Sequence, residues 1–256
     1  MTALPISAVL ITYEAERHLD RVLDGLEVCD EIVVLDSGSN DRTREIAAAH
    51  GAAWHEHPFD GFGPQKRRAT ALARHDWVLS VDADEVLDTQ AQNALRGLPW
   101  SALDPADCWR LCRRPFIGAR EIRHGHWLPD RVVRLFNRQV HGFSAAAVHE
   151  SVTPTGPVHD LAGSVLHFSY PDLAALFRAD YHRLKAARYR AAGRSAGQGQ
   201  LVARAAAVLL RSYVLRRGFL DGPAGVVVAL AGAVSAVTGL AMASDDASGS
   251  APSGKP

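Results

Sequence analysis

Four apolar runs fall in the first 82 residues: ISAVLI (6–11), EIVVLD (31–36), AAWHE (52–56) and WVLSVD (77–82). Their order relative to helical segments limits the fold more than any other feature. Between them lie EAERHLDRVLDGLEV (14–28), with Leu19, Val22, Leu23 and Leu26 at helical spacing, then NDRTREIAAAHG (40–51) and PQKRRATALARH (64–75). Apolar residues three and four apart share one helix face, whereas an unbroken apolar run suits a strand covered on both faces. Ser39 or Asn40 is the expected cap of the second helix and Gly51 its stop. Strand and helix in alternation imply a parallel sheet with helices on its faces.

Ligands of open parallel sheets bind at the carboxyl ends of the strands. TYEAE (12–16) follows the first strand, DSGSND (36–41) the second and DADE (82–85) the fourth. Three equivalent loops thus bring polar or acidic residues to one edge. No G-x-x-x-x-G-K-[ST] is present, and GFGPQK (61–66) does not follow the first strand. A nucleotide would therefore be held another way, by a divalent cation bridging carboxylates to a diphosphate. Asp82 and Asp84 are hard oxygen ligands suited to Mg²⁺ or Mn²⁺. On an extended strand end, residues two apart point the same way, so both acids are expected to address one ion.

After residue 100 the pattern shifts to shorter strand-like runs, CWRLCRR, RVVRLF and SVLHFSY. Residues 171–194 read as helical and basic, and LVARAAAVLLRSYVLRR (201–217) as an amphipathic helix broken by GFLDGP. Residues 224–243 then run without a charge, long enough to cross a hydrocarbon core, but rich in Ala, Gly and Val and so only weakly driven to insert. The polar tail 244–256 is expected to be disordered. The domain expectation is 1–170 catalytic, 171–243 a basic and apolar helical region, and 244–256 a tail.

Formal net charge is zero, so the whole-chain balance argues neither for nor against a nucleic-acid partner. Three cysteines give no disulfide framework and suit a reducing cytosol. The N-terminus carries no basic leader, so the chain is expected to start as a mature cytosolic protein. The arginines between residues 173 and 217 lead into the apolar stretch, which reads as contact with an anionic membrane surface. With no recognised module or interleaved aromatics, nucleic acid is not an expected partner.

The blocks ISAVLITYEAERHL, EIVVLDSGSNDRTREIA, GFGPQKRRATALA and WVLSVDADE resemble the family 2 glycosyltransferases. RHGHWLPDRVVRLFNR, VHESV, VLHFSYPDL and YVLRRGFLDG resemble the branch that builds lipopolysaccharide core. The resemblance covers about residues 5 to 225. It implies a GT-A fold, an α/β and Rossmann-like mixed, mostly parallel sheet with helices on both faces, here followed by a C-terminal helical membrane-associating segment. It further implies an inverting transferase that moves a sugar, glucose from UDP-glucose being expected, onto a lipid-linked lipopolysaccharide-core or related envelope glycan at the cytoplasmic face of the bacterial inner membrane.

By the same resemblance, Asp36 and its neighbour Ser37 meet the uracil or ribose, Thr12 and Glu14 line that pocket, and Lys66 sits near base or phosphates. Asp82 would contact ribose and the metal shell, and Asp84 would ligate the metal. The family often has Asn-Glu after the first strand, where this chain has TYEAE. A single displacement needs a general base. The candidates are Glu150 in VHES, which is favoured, and Asp130 in WLPD. His149 is a further candidate metal ligand, with a hydrogen-bonded structural histidine as the alternative. Two other functions fit less well. A nucleotidyltransferase would bring a Gly-rich basic loop after the first strand, and a catalytically inactive membrane-associated GT-A binding module would not need DADE and VHE intact.

Overall fold

The computed structural model of the protein describes residues 4–144, 151–177, 186–187 and 189–249. The chain divides into two compact units, Met1–Arg114 with Pro129–Phe168, and Pro115–Leu128 with Ser169–Pro256.

In the first unit the alternation is realised. It runs β1 (Leu4–Thr12), α1 (Glu16–Asp24), β2 (Cys29–Asp36), α2 (Thr43–Ala49), β3 (Ala53–Glu56), α3 (Phe62–Leu72) and β4 (Trp77–Ser80). β5 (Glu85–Leu87) and α4 (Thr89–Arg96) follow, then β6 (Cys108–Ile117), β7 (Arg120–Glu121), β8 (Arg131–Asn137) and β9 (Val158–Tyr170). The sheet order is β3-β2-β1-β4-β8-β6-β9-β5, with β7 beside β6. β1 is buried on both faces, as its unbroken apolar run requires. Ile6, Ala8 and Leu10 join Leu19, Val22 and Leu23 of α1 in one cluster. Val9 joins Val33, Leu35 and Ala69 of α3 in another.

The expectation of a mostly parallel sheet needs correction. β1 runs parallel to β2 and β4, and β2 to β3. The pairings β4–β8, β5–β9, β6–β7 and β6–β8 are antiparallel. Parallel neighbours need a crossover element. The helices that could supply one stop at α4, so the later strands pair antiparallel and the sheet is mixed. The α2 cap also differs from expectation. The helix begins at Thr43, and Asp41, not Ser39 or Asn40, accepts the Thr43 N–H at 3.0 Å. Cys29, Cys108 and Cys112 are free thiols, and burial pushes Cys29 up to about 12 and Cys108 up to about 11.

The second unit contains a helical pair. α5 (Gln198–Leu209) continues into a π-helical turn (Leu210–Leu215), a 3₁₀ turn (Gly218–Asp221) and α6 (Pro223–Gly249). GFLDGP breaks the helix as expected, with Gly222 at φ 61° and Pro223 opening α6. Residues Pro223–Ser244 have a mean hydropathy of 2.2 and are long enough to span a membrane. Of the tail expected at 244–256, residues 244–249 belong to α6 and residues 250–256 lie outside the described residues, as does all of 178–185 in the basic segment 171–194.

Gly163 in β9 has φ +90°, and a Cβ there would lie 2.2 Å from the backbone nitrogen of Ala91 in α4. Both strain and overlap oppose any side chain. Gly163→Ala is expected to cost at least about 2 kcal/mol of unfolding free energy. Urea denaturation measures this, and unchanged stability would mean that β9 does not rest on α4 as described.

Candidate active site

The carboxyl ends of β1 and β2 meet in register, Thr12 opposite Asp36. Asp36 is buried, and four donors converge on its carboxylate: Thr12 Oγ1 at 2.8 Å, Ser39 Oγ at 2.6 Å, Ser39 N at 2.7 Å and Gly38 N at 2.8 Å. Burial pushes its pKa up, but those hydrogen bonds outweigh it and hold the carboxyl below its ordinary range. Ser37 donates its N–H to Thr12 O at 3.0 Å and accepts from Gln65 Nε2 at 3.1 Å. Glu14, at φ 49°, accepts from Asn40 N at 2.9 Å, and Glu16 accepts from Arg42 N at 3.1 Å. In return Ser39 Oγ accepts from Glu14 N, and Asp41 from Glu16 N. The TYEAE and DSGSND loops thus clasp each other, with Glu14, Glu16 and Asp41 each taking a backbone donor from across the clasp.

The DADE segment is not an extended strand end. β4 stops at Ser80, and Glu85 N donates to Asp82 O at 3.0 Å, which closes a turn. The turn overturns the expectation that Asp82 and Asp84 point the same way. Asp82 faces two cations, Lys66 Nζ at 2.6 Å and the Arg134 guanidinium at 2.8 Å, one on each carboxylate oxygen. Asp84 instead lies 3.5 Å from His167 Nε2, and its backbone oxygen accepts from Phe168 N at 2.9 Å. Phe168 stacks on His18 at 5.2 Å. Burial, then Arg17 and Arg21, push the His18 pKa down against the opposing pull of Asp84.

From Asp82 an alternating chain of charge continues. Arg134 also donates to Glu85, which is fully buried. Arg113 reaches Glu85 at 3.4 Å and Asp130 at 2.7 Å. The sequence Lys66–Asp82–Arg134–Glu85–Arg113–Asp130 joins α3, the DADE turn, β5, β8 and β6. Burial pushes the Asp82 carboxyl up, but Arg134 and Lys66 outweigh it and hold it well below the carboxylate range. Burial would lower Arg134, yet Asp82 and Glu85 raise it above its ordinary value. Four of its members, Lys66, Asp82, Arg134 and Arg113, line a cavity of about 470 Å³ with Phe62, Arg131 and Ser151 also in its wall.

Of the residues singled out from sequence, Thr12, Asp36, Ser37 and Glu14 gather at the β1–β2 clasp. Lys66, Asp82 and Asp130 join the charge chain, and Asp84 lies on the DADE turn. Glu150 and His149 fall outside the described residues; Ser151, next in sequence to Glu150, lines the cavity. Sequence reasoning missed Arg134, Arg113 and His167 as site residues. Arg134 had one readable signal, a second arginine inside the apolar run RVVRLF. In the second unit His124 Nδ1 lies 3.0 Å from Asp221 and His126 Nδ1 3.0 Å from Ser212.

Asp84 and His167 suit a divalent cation, a carboxylate oxygen and an imidazole nitrogen partly exposed and close enough to share one ion. Asp82 would reach such an ion only by giving up Lys66 or Arg134. A different candidate group, Asp24, Glu27 and His50, lies by the C-terminal ends of α1 and α2. Those helices run back along the sheet, so the group sits at the edge opposite the strand carboxyl ends.

An α/β unit that gathers acids and cations around a cavity at its strand carboxyl ends is a ligand-binding enzyme domain. Residues 7–95 match the family described as glycosyl transferase family 2. The lipopolysaccharide core biosynthesis glycosyltransferase LpsC of Rhizobium meliloti is 32% identical over 247 residues, covering 91% of this chain and 89% of that protein. An uncharacterized glycosyltransferase of Rickettsia prowazekii is 25% identical, covering 87% of this chain and 80% of its own. The structure of glucosyl-3-phosphoglycerate synthase from Mycobacterium tuberculosis, in complex with Mn²⁺, UDP and glucosyl-3-phosphoglycerate, is 26% identical with a TM-score of 0.34, covering 44% of each chain. The chain belongs to glycosyl transferase family 2, and it is an enzyme of the transferase class.

Two outcomes follow for the charge chain. Arg134→Ala strands Asp82 and Glu85 and should cost on the order of 3–5 kcal/mol, read by urea denaturation; a loss below about 1 kcal/mol would show that the pairing is not stabilising. Because Asp82 titrates below its unfolded value of about 3.9, its ion pairing contributes fully above that pH and is lost as pH falls through the folded value. Stability should therefore decline on acidification below about pH 4. Asp82→Asn should flatten that decline, and an unaltered acid profile would exclude Asp82 as its source.

Proposed function

We propose that the protein is an inverting, metal-dependent glycosyltransferase that uses a UDP-sugar, glucose being the expected sugar. Its acceptor in this reading is a lipid-linked lipopolysaccharide-core or related envelope glycan. One observation carries the proposal: four cationic side chains, Lys66, Arg113, Arg131 and Arg134, line one cavity beside Asp82, in a family 2 chain. That lining suits a diphosphate. The likeness to LpsC over most of both chains supports the acceptor class.

The chain's own groups divide the work. The clasp of Thr12, Glu14, Asp36 and Ser37 shapes the loops that receive the nucleoside. Since Asp36 already accepts four hydrogen bonds, its part is to hold the loop that the nucleoside meets. Lys66 and Arg134, fixed by Asp82, hold positive charge where the departing diphosphate gains negative charge. Asp84 and His167 would hold Mg²⁺ or Mn²⁺, which when bound supplies Lewis-acid stabilisation of that leaving group. The acceptor hydroxyl attacks the anomeric carbon from the side opposite the breaking bond to the phosphate oxygen, so the configuration inverts. Glu150 takes the hydroxyl proton, and Asp130 is the alternative base. Asp130 Oδ2 is engaged by Arg113, which favours Glu150.

The C-terminal helical pair provides peripheral attachment to the cytoplasmic face of the inner membrane. Leu210, Val214, Leu215, Phe219 and Leu220 are exposed, with the exposed Arg211 and Arg217 among them. Apolar and cationic side chains so mixed suit an anionic lipid surface. Part of α6 is covered within its own unit, since Ala224, Val228 and Ala231 are buried. That favours a helix lying in the interface over one crossing the bilayer.

In turnover assays with UDP-glucose and Mn²⁺, Asp84→Ala should lose on the order of 100-fold in kcat/KM together with the metal-dependent thermal shift given by the donor. Glu150→Gln should lower kcat by about 10²–10⁴-fold and keep that shift. An Asp84→Ala variant with an intact metal-dependent shift would sink the metal assignment. Full activity of Glu150→Gln would transfer the base role to Asp130.

A further inference from the structure

The second unit holds a cavity of its own, about 480 Å³, which the proposed donor chemistry does not use. Its wall includes Trp127, Tyr170, His126 and Arg211, and α6 contributes Gly232 and Ser235. Trp127 and Tyr170 stack on each other, 11° apart with ring centroids 5.6 Å from each other, and both contribute to the aromatic part of the cavity wall. Arg211 is exposed and sits in the π-helical turn, a distortion frequent at functional sites.

The cavity exists because several contacts hold it open. Ser212, buried in the same π turn, accepts from His126 N at 3.2 Å and meets His126 Nδ1 at 3.0 Å. The His126 ring lies flush on α6, since a Cβ on Gly232 would be 2.4 Å from its Cε1. Asp221 takes the backbone N–H groups of Arg123 and His124, which fixes the segment leading to Trp127. Larger residues at positions 232 and 235 would fill the space.

An aromatic wall suits the C–H face of a sugar ring, and mixed polar groups suit its hydroxyls. Arg211 adds a planar cation matched to a phosphate or carboxylate. The opposite side of the same helical stretch is different in kind. Leu209, Leu210, Tyr213 and Val214 face a wholly apolar groove shared with Val226 and Leu230. One helix thus separates a sugar-sized, cation-bearing cavity from an acyl-compatible surface, the two ends of an anionic glycolipid.

We propose that this cavity is an acceptor subsite, binding a sugar that carries an anionic group, phosphate or carboxylate, in the headgroup of a membrane-held glycolipid. The inference rests on the glycosyltransferase reading and names the recognition that selects its acceptor.

Ligand-observed NMR on the full chain tests it, with UDP and Mn²⁺ present to saturate the donor site. The probes are glucose 6-phosphate, glucose and inorganic phosphate. The native chain should bind glucose 6-phosphate most tightly, because ring and anion act together. Arg211→Gln should weaken it by about tenfold, while Arg211→Lys, which keeps the charge, should recover part of the loss. Ser235→Leu reaches the same end by filling the cavity, and should weaken glucose and glucose 6-phosphate alike. Circular dichroism confirms that each variant is folded. Native-like binding by both Arg211→Gln and Ser235→Leu, no binding of glucose 6-phosphate, or equal binding of inorganic phosphate would each overturn the proposal. UDP binding by the native chain is read in the same samples: its absence would overturn the donor reading, whereas loss of sugar-phosphate binding alone would overturn only the subsite.

Discussion

The alternating chain of charge from Lys66 to Asp130 is what the first unit must satisfy. Glu85 is fully buried and Arg134 nearly so, and a charge so placed is costly without a partner. Their pairing ties α3 and the DADE turn to the paired strands β8 and β6. α3 supplies Lys66, the DADE turn Asp82, β8 Arg134 and β6 Arg113. The antiparallel half of the sheet therefore does more than cover the parallel half. β8 lies beside β4 and delivers a cation to the acids at the end of that strand.

That arrangement separates two acids that a linear reading treats as a pair. The turn closed from Glu85 N to Asp82 O sends Asp82 toward Lys66 and Arg134, and Asp84 toward His167. An acid with a cation on each oxygen is suited to fixing those cations in place. An acid that is partly exposed, with an imidazole nearby, is suited to holding an ion. The short motif thus places one acid between two cations and the other beside an imidazole.

Much of this was legible from residue order. Apolar runs alternating with 3.6-period segments gave the parallel β1–β4 core, because burial on both faces leaves an unambiguous pattern. The polar loops at the strand ends located the Thr12–Asp36 clasp and the DADE turn. The direction of the later strands was less readable, since β6, β8 and β9 mix charged with apolar residues and their pairing depends on partners far away in sequence. Arg113, Arg134 and His167 were invisible as site residues for the same reason. Each lies on a strand whose pairing is set only in three dimensions, β8 with β4, β6 with β8 and β9 with β5, although Arg134 within RVVRLF was a buried charge awaiting a partner. Asp82 and Asp84 were misjudged by a local rule, that of an extended strand, which the i→i+3 turn replaced.

The composition of α6 also takes on another meaning. Its Ala, Gly and Val content makes it a weak candidate for crossing a bilayer, and packing explains why those residues are small. A Cβ at Gly225 would lie 1.8 Å from Gly218 O, and one at Gly232 would meet the His126 ring. Ala224 and Val228 pack with Ile117 and Ile122 in the core of this unit. Leucines at such positions would raise insertion energy and destroy the contacts. The helix is therefore shaped by two demands: close approach on the face toward its own unit, and moderate apolarity on the face bearing Val226, Leu230 and Val234. A segment meeting both is better suited to lying along a membrane surface, with the cavity beside Trp127 held open by the same small residues, than to leaving its unit for the bilayer.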